Sequence, residues 1–167
     1  MENKPFTLAD LTELEMPSVI MMAGVPGSGK SYIAEQLSTM LEHPVLSADA
    51  IREELTGNQL DNSINTEAWH ILHDRAATLI ADQYSVIIDA THAEQQLRRD
   101  EISLYRSMGA RAVVCVEIQT PYDTLIARNQ SRDKFVPIHA IDRIRRNLRQ
   151  YPPSTEDGFD GVARIAN

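Results

Sequence analysis

Val19-Ile20-Met21-Met22-Ala23 runs directly into Gly24-Val25-Pro26-Gly27-Ser28-Gly29-Lys30-Ser31. An unbroken apolar run is what a strand buried on both faces of a parallel sheet requires, because both rows of its side chains meet protein. The segment after it is a complete Walker A pattern, and Ile33, Leu37, Met40 and Leu41 behind it recur at the spacing of one helix face. Taken alone, the glycines could serve only as a turn between strand and helix; a strand before and a helix after are the context that favours a phosphate cradle. In such a cradle Gly24, Gly27 and Gly29, with Pro26 and Ser28 between them, let successive backbone N–H groups converge on phosphate oxygens. The following helix adds unpaired N-terminal donors and the positive end of its dipole. Lys30 is then placed to reach the β- and γ-phosphates, and Ser31 to offer its hydroxyl to Mg²⁺. The expected cofactors are ATP, with GTP or another nucleoside triphosphate as the alternative, and Mg²⁺.

Outward from this motif, apolar runs alternate with helical patterns in a βαβ rhythm. Val19 to Ala23 reads as the central strand. Val45-Leu46-Ser47 reads as a short strand, Asp49 to Leu55 as a helix start, and Thr56-Gly57-Asn58 as a break. Trp69, Leu72, Ala76 and Leu79 mark an amphipathic helix within Asn65 to Gln83. Val86 to Asp89 is a buried strand ending in an acid, Ala93 to Met108 a helix stopped by Gly109, and Ala112 to Ile118 the next strand. Pro121 opens a helix through Arg128; Ile141, Ile144 and Leu148 define another; Gly161 to Ile165 reads as the last strand. The predicted class is α/β: a P-loop NTPase, nucleoside-monophosphate-kinase-like three-layer sandwich with a parallel sheet of about five strands, helices on both faces and a small arginine-bearing lid. Residues 18–167 form one domain after an N-terminal extension, 1–17, with a short helix expected around Leu8 to Leu14 and no function assigned.

A chain of 167 residues suffices for one sizeable core. Cys115, the single cysteine, lies inside an apolar run and reads as a buried core residue, so disulfide-dependent secretion is not expected. The N-terminus has no apolar signal segment and no run is long enough to cross a membrane, so a soluble cytoplasmic protein is expected. The net charge of −8 argues against a long nucleic-acid track. Its distribution is uneven: Arg128 to Arg149 holds seven cations against two acids, the remainder nine against twenty-two. A cationic zone on an acidic body suits local gripping of phosphates, although several of these arginines could equally be a solvated helix face.

In open α/β sheets ligands gather at the carboxyl ends of the strands. There the chain offers the phosphate loop, then Asp49 and Arg52, then Asp89 and Thr91, then Arg128 and Arg132. Two acids, a hydroxyl and several arginines about a metal-complexed triphosphate are the parts of phosphoryl transfer, where catalysis is mostly positioning and charge neutralisation.

The combination resembles the 5′-hydroxyl polynucleotide kinase domain, known from phage polynucleotide kinase and bacterial RNA-repair proteins, over roughly residues 18 to 150. The matching elements are Asp49-Ala50-Ile51-Arg52, Asp89-Ala90-Thr91-His92, and Arg128-Asn129-Gln130-Ser131-Arg132 followed by Val136-Pro137-Ile138. The resemblance implies Asp49 as general base toward the attacking hydroxyl, Arg52 and Thr91 as acceptor-positioning groups, and Asp89 as the acid that orders Mg²⁺ together with Ser31. It also implies Arg128 and Arg132 as lid clamps, one helical turn apart if the helix continues, beside the catalytic Lys30. Plainer roles stand next to these: Asp49 as a helix N-cap, Arg52 as an ordinary ion-pair partner, Asp89 and Thr91 as caps of the helix near Ala93. His92, where relatives carry Asn, is given no role, a lone loop histidine being more often a polar surface residue than a catalyst, and Trp69 reads as core. Arg145 and Arg149 receive no chemical role.

Ala50 reduces the usual acidic pair to one acid, and no phosphatase or ligase module is expected within this length. The expected acceptor is the 5′-hydroxyl end of a DNA or RNA strand. Rival readings are a small hydroxyl substrate, phosphorylated as by gluconate, antibiotic or zeta-toxin-like kinases, and a nucleotide-driven switch or ATPase. Oligomerisation is left open.

Overall fold

The computed structural model describes residues 4–167. Five strands, β1 (Ser18–Ala23), β2 (Val45–Ser47), β3 (Val86–Asp89), β4 (Ala112–Gln119) and β5 (Gly161–Ala166), form one parallel sheet in the order β2-β3-β1-β4-β5. Six helices connect or flank them: α1 (Lys30–Leu41), α2 (Ala48–Thr56), α3 (Asn65–Ala81), α4 (Gln95–Ser107), α5 (Tyr122–Gln130) and α6 (Ile138–Gln150). The strand read as central is central, with every residue of β1 buried. Its alternation sorts the core into two faces, as the two-residue period of a strand demands. Val19, Met21 and Ala23 pack with Leu72, Ala76 and Ile80 of α3 and with Ile102 and Tyr105 of α4. Ile20 and Met22 face Ala34 and Leu37 of α1 on the other side. A third, smaller cluster of Val25, Ala93, Leu125, Ile141 and Leu148 ties α5 and α6 to the phosphate loop.

Helix ends follow local chemistry. Ser47 caps α2 by accepting the Ala50 N–H at 3.4 Å, and Gly57 closes it in the left-handed conformation at φ 73°. Asp49 therefore sits inside the first turn of α2 and is not its cap. The segment around Leu8 is a 3₁₀ helix, Leu8–Glu13, and it contributes to the core: Leu11 is buried and Phe6 and Leu14 pack on the α1 side of the sheet. Cys115 is buried, and burial pushes its thiol well above the usual range. No helix among the described residues is long and apolar enough to cross a membrane.

A buried polar staple fixes the exit of β3. Arg98 of α4, fully buried, donates to Asp157 Oδ2 at 2.8 Å, to the His92 and Ala93 carbonyls at 3.0 and 3.2 Å, and to the Tyr151 carbonyl at 2.7 Å. Its guanidinium thereby holds together the β3–α4 loop, the end of α6 and the turn before β5.

Candidate active site

The carboxyl ends of β1, β2 and β3 lie level: Met21 is in register with Ile88, and Ser47 with Asp89. The loop that leaves β1 is shaped by glycine backbone. Gly27 and Gly29 hold φ values of 88° and 95°, the left-handed region that side chains with a Cβ resist, and Gly29 is the N-cap of α1. The loop is braced from outside by Arg128 Nη1 on the Gly27 carbonyl at 3.1 Å, and by Thr120 Oγ1 and Asn167 Nδ2 on the Ser28 carbonyl at 3.2 and 2.8 Å. At its base the Gly24 N–H donates to the Thr91 carbonyl at 3.1 Å, so the exits of β1 and β3 are stitched together. Ser28 Oγ is buried and is the one such side-chain polar atom without a partner among the described residues.

Lys30 donates to the Val25 carbonyl at 3.3 Å. Burial lowers its ammonium pKa, the carboxylates of Asp89 and Asp49 act in the opposite direction, and Arg132 adds to the lowering. Ser31 Oγ donates to Asp89 Oδ2 at 2.6 Å. Asp49 is paired with Arg52 one turn along α2, and Arg52, buried, also donates to the Gln59 carbonyl at 2.7 Å and to Asn65 Oδ1 at 2.6 Å. Its guanidinium is engaged on three sides by protein.

The model for a protein family described as the AAA domain matches residues 19–151. The chain belongs to this family. Among curated proteins, the shikimate kinase of Actinobacillus pleuropneumoniae serotype 5b is 26% identical over 148 residues, covering 87% of this chain and 83% of that one. Two solved structures share the fold of this AAA-domain chain. A putative kinase from Chloroflexus aurantiacus has TM-score 0.71 and 21% identity, covering 91% of this chain and 89% of the other. A chain in the Pnkp1/Rnl/Hen1 RNA repair complex has TM-score 0.73 and 24% identity over 88% of this chain, which spans about half, 47%, of that longer one. The architecture is the P-loop kinase fold.

Several site residues stand differently from their sequence reading. Arg132 is not on a helix with Arg128: α5 ends at Gln130, and Arg132 sits in the loop beyond. The reason is Asn129, buried, whose side-chain amide brackets Val136 by donating to its carbonyl at 2.8 Å and accepting its N–H at 3.0 Å. That closes the lid loop on itself, and Lys134 ties it to Glu53 of α2 at 3.2 Å. Asp89 and Thr91 do not cap α4, whose N-cap is Glu94 without a side-chain bond; Asp89 is turned to Ser31 instead. His92 is not a surface residue. It is buried at φ 44°, its Nδ1 on the Met22 carbonyl and its Nε2 3.1 Å from Glu101 Oε2. Trp69 packs on the core but only partly, and its remaining surface lines a cavity. The roles of Thr120, Asn129, Asn65 and Asn167 are not legible in the sequence, because single polar residues at the ends of helices and strands carry no periodicity or spacing from which their partners can be inferred.

Proposed function

We propose that this chain is an ATP- and Mg²⁺-dependent phosphotransferase that moves the γ-phosphoryl group of ATP to a hydroxyl acceptor in the cytoplasm. The observation that supports the reading is the glycine-shaped loop after β1 joined to the exit of β3, with Ser31 Oγ on Asp89 Oδ2 at 2.6 Å and the Gly24 N–H on the Thr91 carbonyl at 3.1 Å. The phosphate loop fits a triphosphate: its glycines hold the turn open, and the partnerless Ser28 hydroxyl is buried within it. Ser31 and Asp89 are the pair that would hold Mg²⁺, which supplies neutralisation of phosphate charge when bound. Lys30, Arg128 and Arg132 offset the charge of the phosphoryl group in flight. Asp49 accepts the acceptor's proton as its oxygen bonds to the γ-phosphorus and the bond to the β–γ bridging oxygen breaks, releasing ADP. The Arg52 bond holds the Asp49 carboxylate in place for that step, and Thr91 positions the acceptor.

A second reading, transfer to the 5′-hydroxyl of DNA or RNA, is supported by the order of the Asp49-x-x-Arg52, Asp89-x-Thr91 and Arg128/Arg132 elements. It is also supported by Arg145, Arg146 and Arg149 on the outer side of α6, which line a hollow of about 530 Å³. Labelled ATP incubated with sugars, nucleosides and 5′-hydroxyl oligonucleotides tests the proposal. Transfer to a hydroxyl acceptor is expected, abolished by Asp49→Asn with ATP binding retained. ATP hydrolysis that never labels an acceptor and is indifferent to Asp49 would sink it.

A further inference from the structure

Next to the phosphate loop lies a cavity of about 610 Å³, walled by α3, α4 and α6 and floored by the segment that leaves β3. Two of its lining residues connect it to the reacting groups. Thr91 is joined through its carbonyl to Gly24, and Asn65 accepts from Arg52, the partner of Asp49. On the proposed activity, the alcohol is placed in this cavity through Thr91 and Asn65.

The wall is aromatic and stiff. Trp69 lies with its ring centroid 5.5 Å from that of His73 and 6.3 Å from that of His92. Glu101 ties both imidazoles, with His92 Nε2 at 3.1 Å and His73 Nε2 at 3.4 Å, and also accepts from the Tyr105 hydroxyl at 3.2 Å. The polar atoms of this wall are thus largely satisfied within the protein, which leaves the indole as its principal contact surface for a ligand. A cavity of this size, with an aromatic face and a few polar groups, is the usual form of a small-molecule site.

The charges select further. Arg143 is the only guanidinium among the lining residues, whereas Glu94, Asp100 and Glu101 bring three carboxylates. Arg52 is spent on Asp49, Gln59 and Asn65, and Arg128 on the phosphate loop. A phosphodiester or carboxylate-rich acceptor would meet three carboxylates against the single guanidinium of Arg143, so its charge would be poorly offset on desolvation. Hydroxyl groups suffer no such penalty, since they can donate to Glu94 or Asp100 and accept from the amides of Asn65 and Asn147.

We infer that the acceptor is an uncharged polyhydroxylated compound with one apolar face, a sugar, cyclitol or nucleoside, and that this face rests on Trp69. The inference depends on the phosphotransferase reading and narrows it. Because Trp69 is the only tryptophan of the chain, its fluorescence reports on this wall directly.

The whole chain, with a non-hydrolysable ATP analogue, is titrated with a panel of hexoses, cyclitols and nucleosides, their monophosphates and a 5′-hydroxyl pentanucleotide. Labelled-ATP transfer to the same panel is measured in parallel. A saturable change in Trp69 emission with an uncharged probe is expected, and that probe should be phosphorylated with kcat/KM about 100-fold or more above its monophosphate and the pentanucleotide. Sugars and nucleosides are separated by which arm responds. Trp69→Leu should raise the acceptor KM about tenfold with the KM for ATP within about twofold, and Trp69→Phe should restore most of the loss. Preferential labelling of the pentanucleotide, no emission change with any uncharged probe, or an unchanged acceptor KM in both variants overturns the inference. Saturable binding of an uncharged probe without any transfer instead overturns the phosphotransferase reading and leaves the cavity's preference standing.

Discussion

The donor side and the acceptor side of this active-site rim are built by opposite means. On the proposed activity, the donor side is built mainly on one uninterrupted stretch, Gly24 to Ser31, shaped by glycine torsions and braced by Arg128, Thr120 and Asn167, with backbone N–H donors, one amine and one hydroxyl as its local groups. The proposed acceptor side is gathered from α2, α3, α4, α6 and the exit of β3, and the groups it would use are side chains. Local geometry can be carried by a short sequence pattern. Geometry assembled across elements depends on the network behind it, here the Arg98–Asp157 and His92–Glu101 pairs.

If the division is right, the largest effect belongs to the residue where the two sides meet. Asp49→Asn should lower kcat by about 10²–10⁴-fold while the KM for ATP stays within about twofold, read by steady-state kinetics. An equal loss of ATP affinity would place Asp49 on the donor side instead.

Breaking the staple behind the acceptor side comes next. Arg98→Met removes the closer of the two guanidiniums on buried Asp157, leaving Arg99 at 3.7 Å, and should cost about 3 kcal/mol in urea unfolding. A loss within error would show that the staple is not what holds the β3 exit.

Glu101 gives a pH test of the same side. Burial raises its carboxyl pKa, but the hydrogen bonds and charges of His73 and His92 outweigh that and hold it down to about 2, against an ordinary 4.5. A carboxyl lower in the folded than in the unfolded state contributes stability above its unfolded pKa and loses it as the pH falls through the folded one. The protein should therefore lose up to about 3 kcal/mol between pH 5 and 2 that Glu101→Gln does not lose, measured by urea midpoints across that range.

The smallest effect is expected in the phosphate loop. At Gly27 an added Cβ has room, 3.5 Å from the Leu125 carbonyl, so Gly27→Ala meets only the cost of its left-handed backbone, about 1–2 kcal/mol. Thermal unfolding should shift modestly, and the acceptor KM should move less than the KM for ATP.

These contrasts explain which parts were legible beforehand. Strand and helix positions follow from apolar periodicity, so the central place of Val19 to Ala23, the short strand at Val45 and the helix across Trp69 to Leu79 all appear where their spacing puts them. Whether the helix continues from Arg128 to Arg132 is not legible in the sequence, because the Asn129–Val136 closure that ends it is a side-chain contact that periodicity does not encode. The burial of His92 is not legible in the sequence for a related reason. Its burial depends on Met22 and Glu101, one distant in sequence and the other on a helix of its own.

The amino-acid order thus carried the fold class and the donor loop, since both rest on contacts between near neighbours: alternating burial along a strand, and glycine torsions before a helix. The acceptor cavity, its aromatic wall and its acidic charge came only with packing. Trp69, Glu101, Thr91 and Arg143 belong to separate elements, and their common wall exists because burying both faces of the sheet brings those elements together.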